Sequence, residues 1–156
     1  MYTIADIYNI AIQIERNGEA EYRQAAQQTT DAEMKKLYLD MARQEAEHAV
    51  WFTRLLEKTP DRQINEDELD ELGAELLQNI IKEARFPIDG KGLDEIDNMQ
   101  EALMFSIALE EDTITFYQFL SDLLEDKEAQ QDIEQIIREE KRHIEKLREV
   151  SAQWQQ

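Results

Sequence analysis

The stretch ARQEAEHAVW, residues 42–51, decides how this chain is read, together with IREEKRHIEK, residues 137–146. Each holds one of the two histidines in the protein, and each places a glutamate three residues before it: Glu45 with His48, and Glu140 with His143. Residues three apart share one face of an α-helix. A chain with two histidines and 36 acidic residues has therefore used the same local device twice.

The agreement extends well beyond these decapeptides. A shift of 95 residues lays Ile12, Glu15, Tyr22, Asp31, Glu33, Arg43, Glu45 and His48 on Ile107, Glu110, Tyr117, Asp126, Glu128, Arg138, Glu140 and His143 without a gap. Background frequencies of roughly 5–10% for common residues give about two or three identities in such an overlay. The match reads as an internal repeat.

The repeated unit is helical. Gly and Pro total six residues, and helix formers dominate. The pattern predicts helices near 3–28, 31–57, 94–123 and 126–152, with a shorter one near 66–85. Asp31 and Asp126 are read as N-caps. Thr59-Pro60 stops the second helix, and RFPIDGKG (85–92), with Pro87, Gly90 and Gly92, reads as a loop. SAQWQQ at the end is expected to fray. Two long helices joined by a short break fold back as a hairpin, so the chain is two hairpins in a single domain over 1–156. The segment between them must travel the length of the bundle. Its Leu69, Leu72, Leu76, Leu77, Ile80 and Ile81 can pack on its own bundle, or the segment can carry one hairpin into a partner chain.

The apolar stripes show where the acidic residues point. Tyr8, Ile12, Tyr22 and Ala25 or Ala26 mark the first helix, with Glu15 on the stripe. Leu37, Met41, Phe52 and Leu55 mark the second, interrupted by Glu45 and His48. Leu103, Ile107, Ile114, Tyr117 and Leu124 flank Glu110, and Ile133, Ile137, Ile144, Leu147 and Val150 surround Glu140 and His143. A lone glutamate on such a stripe usually reaches water from its edge. Four at mid-helix would repel one another in a core unless protonated, paired or bound to metal. Four carboxylates and two imidazoles form a donor set for two divalent first-row metals, with shared carboxylates bridging them. Tyr22 and Tyr117 follow their glutamates by two turns. They either donate hydroxyls to metal-ligating carboxylates across the bundle or serve as core aromatics.

Composition narrows the field. Net charge is −19, which disfavours nucleic acid and anionic membranes as partners. No apolar run approaches the roughly 20 residues of a membrane span. There is no cysteine, hence no disulfide, zinc-thiolate or iron–sulfur site in these residues. The N-terminus lacks the basic region of a signal peptide, so a cytoplasmic protein is expected. No Ser-His-Asp or Cys-His arrangement is evident.

On IERNGEAEY, ARQEAEH, IALEEDTITFY and IREEKRH the chain resembles the rubrerythrin branch of the ferritin-like di-iron carboxylate proteins. The resemblance covers nearly the whole chain. It implies an all-α four-helix bundle with an additional helix in the crossover. It also implies two iron ions on Glu15, Glu45, His48, Glu110, Glu140 and His143, and chemistry on hydrogen peroxide or dioxygen. Rubrerythrins reduce peroxide, and relatives oxidise ferrous iron. The chain departs from that pattern in having no cysteine-ligated rubredoxin domain, so electrons are expected from a separate donor protein. It also has Thr113 where the better-known peroxidases carry an additional carboxylate, and the adjacent Glu111 and Asp112 point off the stripe. In that respect the site is closer to the bacterioferritin pattern. Beside peroxidase stand ferroxidase and non-catalytic iron buffering. A homodimer is expected.

Overall fold

Among the described residues there are four long helices, and capping residues set the start of three of them. In the computed structural model, residues 2–65, 67, 68, 74, 75, 78 and 99–154 are described. Helix α1 spans Ile4–Gln28, α2 Ala32–Lys58, α3 Met99–Leu123 and α4 Lys127–Trp154. Thr3 and Asp6 open α1 as a reciprocal capping box, with bonds of 3.1 and 2.9 Å. Asp31 caps α2 by accepting from the Met34 amide at 2.9 Å. Asp126 accepts from the Glu128 amide at 3.1 Å at the start of α4. Thr59 closes α2 through its amide and its hydroxyl, both donating to the Leu55 carbonyl. At the turn between α3 and α4 the Gln130 side chain donates to the carbonyls of Ser121 and Leu124, and the Leu124 backbone amide also donates to Ser121.

Helix α1 packs along α2, and α3 along α4; the two hairpins meet with α1 against α3 and α2 against α4. The core has two apolar halves. One gathers Ile7, Tyr8, Phe52, Phe116, Tyr117, Leu120, Ile133 and Ile136. The other gathers Tyr22, Ala26, Met34, Tyr38, Met41, Leu103 and Leu147. In each helix the acidic residue of the stripe lies between its contributions to these halves, so a polar layer crosses the bundle near its middle.

After Thr59 the chain runs back beside the start of α1. The Ile4 amide bonds the Arg62 carbonyl and the Ile64 amide bonds the Tyr2 carbonyl, both at 2.9 Å. The Arg62 guanidinium grips Glu68 at 2.8 Å through two nitrogens and donates to the Leu123 carbonyl at 2.9 Å. One cation thus ties the connection to the negative end of α3.

Some details differ from the sequence expectation. Ile12 is only partly buried, as are Leu37, Ile144 and Val150, while Ala11 and Ile14 are buried. The stripe of α1 is centred nearer 11–14, so Ile12 falls on its edge. The final turn does not fray before Trp154: buried Ser151 accepts from the Gln100 side chain at 2.6 Å, which fastens α4 to α3. The expected helix near 66–85, its leucine and isoleucine face, the 85–92 loop with its Pro87, Gly90 and Gly92, and the stretch 94–98 lie outside the described residues, apart from 67, 68, 74, 75 and 78.

Candidate metal centre

The polar layer is built from one glutamate per helix, with a histidine one turn later on α2 and on α4. Glu15, Glu45, His48, Glu110, Glu140 and His143 are all buried. Their donor atoms form two groups, each with all its atoms within 4.8 Å of one another. One is Glu15, Glu45, His48 and Glu140; the other is Glu45, Glu110, Glu140 and His143. Glu45 and Glu140 belong to both.

The layer is stitched across the bundle. Tyr22 of α1 donates its hydroxyl to Glu110 of α3 at 2.8 Å, and Tyr117 of α3 donates to Glu15 of α1 at 2.5 Å. His48 Nδ1 bonds Glu140 Oε1 at 2.8 Å. The imidazole rings of His48 and His143 lie 6.4 Å apart. Each hairpin therefore holds side chains of the other.

Burial raises the pKa of Glu15, Glu45 and Glu110 well above the ordinary carboxylate value, and the charge of Glu140 adds to the rise. Glu140 goes the other way. Burial opposes its ionisation, but Glu110 and the two imidazoles that contact it outweigh burial and hold it well below that value. Burial also works against charging the imidazoles. In His48 the bond and charge of Glu140 overcome it, and in His143 the facing carboxylates of Glu110, Glu140 and Glu45 do, so both pKa values are raised.

These directions predict a pH response of the metal-free protein. The three raised carboxyls contribute stability that is full below their unfolded value of about 4.5 and lost as pH rises through their folded values. The imidazoles act likewise from about 6.5 upward. Glu140 alone contributes in the opposite sense, losing its part as pH falls through its depressed value. Metal-free protein is therefore expected to lose thermal stability steadily as pH rises from about 5, with the slope flattened when a divalent cation replaces the protons. Melting curves across pH, with and without metal, check this.

The donor set fits two divalent cations. Five buried atoms of the layer have no hydrogen-bond partner: Glu15 Oε2, Glu45 Oε1, His48 Nε2, Glu140 Oε2 and His143 Nδ1. Unpaired buried polar atoms cost several kcal/mol together, and ligation by a cation removes most of that cost here. Four carboxylates balance two double positive charges. Oxygen and imidazole donors suit iron or manganese.

Three contributors to the site carry no mark in the sequence. Gln44 accepts from His143 Nε2 at 2.6 Å, and Glu139 Oε2 stands 3.6 Å from His48 Nε2. The repeat places these two at equivalent positions, but nothing in the sequence singles them out. Gly18 is the third. A Cβ there would meet Glu45 Oε2 at 2.9 Å, so the absent side chain makes room for a carboxylate common to both groups. Gly18→Ala gains up to about 1 kcal/mol of helix propensity. It is expected to leave metal-free stability equal or higher while metal affinity falls about tenfold or more as Glu45 is displaced. Titration calorimetry beside thermal melts separates the two effects. The repeat partner of Gly18 is Thr113, which is buried and donates to the Leu109 carbonyl at 2.8 Å, while Glu111 and Asp112 are exposed.

Comparison with known proteins agrees with this architecture. The chain is similar to a crystal structure from Thermotoga maritima, given the provisional description ferritin-like diiron-carboxylate protein. The identity is 28% and the TM-score 0.70, over 97% of this chain and 95% of that one. No curated protein matches. Residues 3–153 match the model of the ferritin-like domain. The all-α bundle of two hairpins is a ferritin-like fold, and the chain belongs to the ferritin-like domain family.

Proposed function

We propose that this protein holds two iron ions in its polar layer and reduces hydrogen peroxide with electrons from a separate donor protein, as a cytoplasmic homodimer. The observation that carries the reading is the pair of overlapping donor groups, each of three carboxylates and one imidazole, which share Glu45 and Glu140. When bound, two ferrous ions supply one electron each, and with two protons these convert peroxide to two waters.

The chain's own residues set the conditions. Glu45 and Glu140 span the two positions; Glu15 and Glu110 complete one each. Tyr117 and Tyr22 hold these outer carboxylates through their hydroxyls, which restricts how the carboxylates can rotate. The four residues of each group would hold an ion and leave room on it for a small oxidant. The apolar halves above and below limit water. Manganese fits the same donors, so metal counting on purified protein accompanies any assay.

A second reading is ferroxidase or iron-buffering activity. Thr113 supports it: with no fifth carboxylate supplied by α3, the six side chains form a more symmetric set. The net charge of −19 also favours capture of ferrous ions. Stopped-flow mixing of anaerobic diferrous protein with peroxide or with dioxygen decides between the readings. Peroxide is expected to react at least about tenfold faster, a difference of about 1.4 kcal/mol in barrier. Equal rates, or retention of iron well beyond two per chain, would replace peroxidase with the second reading.

A further inference from the structure

The repeat allows like to be compared with like. Gln44 and Glu139 occupy equivalent positions, each one residue before the repeated glutamate and four before the repeated histidine. Each approaches the histidine of the other hairpin from outside the donor cluster. There the equivalence ends.

On one side the histidine is set. The Gln44 oxygen accepts from His143 Nε2 at 2.6 Å, which fixes the ring and turns Nδ1 inward. That atom has no hydrogen-bond partner. It stands 3.3 Å from Glu45, 3.3 Å from Glu140 and 3.8 Å from Glu110. It faces a triangle of carboxylates. On the other side the bonding is reversed. His48 Nδ1 is engaged with Glu140 at 2.8 Å, and Nε2 is the unpartnered atom. Glu139 stops 3.6 Å short of it, beyond hydrogen-bond distance. The Glu139 side chain is 21% exposed. With Glu47, Trp51 and Arg54 it borders a surface pocket of about 340 Å³ that reaches His48.

We propose that Gln44 and Glu139 are positioning residues that make the two metal positions unequal. The position of Glu45, Glu110, Glu140 and His143 fills first and holds its ion more tightly. The position of Glu15, Glu45, Glu140 and His48 fills second and exchanges with solvent through the pocket. The physical reason is preorganisation. A cation beside His143 meets a ring already oriented by Gln44. A cation beside His48 must displace the His48–Glu140 bond, and Glu139 must move to secure the ring from behind. This rests on the two-metal reading of the layer.

The test uses cobalt(II) alone with the full chain. Calorimetric titration and the visible absorption of the bound ion give the binding steps, and anomalous diffraction from crystals at one equivalent gives the location. Two steps separated by at least about tenfold are expected, with the first ion beside His143. Gln44→Leu keeps the bulk and removes the acceptor. It is expected to weaken the first step by about 10–100-fold while the second is unchanged. Gln44→Glu retains an acceptor oxygen and is expected to restore the first step, a rescue that a packing role would not give. Glu139→Leu is expected to spare the first step and weaken the second. One equivalent shared evenly between the positions overturns the inequality while leaving the two-metal reading intact. So does a Gln44→Leu variant that melts lower but binds as before. If the wild type binds no cobalt, both fall.

Discussion

His48→Ala together with His143→Ala is expected to abolish stoichiometric metal binding. Each donor group has a single imidazole. Removing an outer partner of a ligand already costs roughly 10–100-fold in affinity, and removing the ligand itself costs more. The effect also appears in stability. Free ion at 100 times its Kd stabilises by about 2.7 kcal/mol per position, so two positions give about 5 kcal/mol. For a chain of this length that raises Tm by about 10–20 °C. Anaerobic ferrous loading, metal counting and melting curves should show the rise in wild type and none in the variant. A variant that still binds two ions tightly would remove the histidines from the account.

Phe52→Ala is expected to give the largest loss of stability away from the polar layer. Phe52 is fully buried, its ring 4.8 Å from that of Tyr117 and 6.5 Å from that of Tyr8. Truncating a buried phenylalanine costs about 3–5 kcal/mol. That is a large part of the roughly 5–15 kcal/mol by which domains are stable, and it lowers Tm by about 6–20 °C at this size. The loss has a second consequence, since Phe52 backs the ring whose hydroxyl holds Glu15. Leu39→Ala, at an exposed position, serves as the control and is expected to shift stability by less than about 0.5 kcal/mol. Urea unfolding followed by circular dichroism measures both. A Phe52→Ala loss below about 1 kcal/mol would contradict the two-halved core.

Sequence makes the bundle legible because its signals are local and doubled. Asp31 and Asp126 mark helix starts, Thr59 a stop, and the glutamates and histidines interrupt apolar stripes in the same register. The six side chains that the repeat singles out are the six that the fold brings together. What escapes notice has no local signature. Glu139 is one of 36 acidic residues, and only its position opposite His48 sets it apart. Gly18 reads as a helix imperfection until Glu45 is seen to occupy the space beside it. The Gln100–Ser151 bond joins helices across 51 residues, so the end of α4 looks loose in sequence although it is pinned. The partial exposure of Ile12 depends on where α2 and α3 settle against α1, which a periodicity cannot supply.

The reciprocal tyrosine bonds carry one more consequence. Tyr22 reaches Glu110 and Tyr117 reaches Glu15, and these are the same interaction under an exchange of hairpins. The layer therefore has an approximate two-fold axis, and each hairpin is half of a self-complementary pair. Two copies of a single hairpin related by a true axis would present the same carboxylates, imidazoles and hydroxyls. They could not differ between their halves. Joining the halves in one chain releases that constraint: Gln44 opposite Glu139 and Gly18 opposite Thr113 are substitutions that no symmetric dimer can make on one side alone.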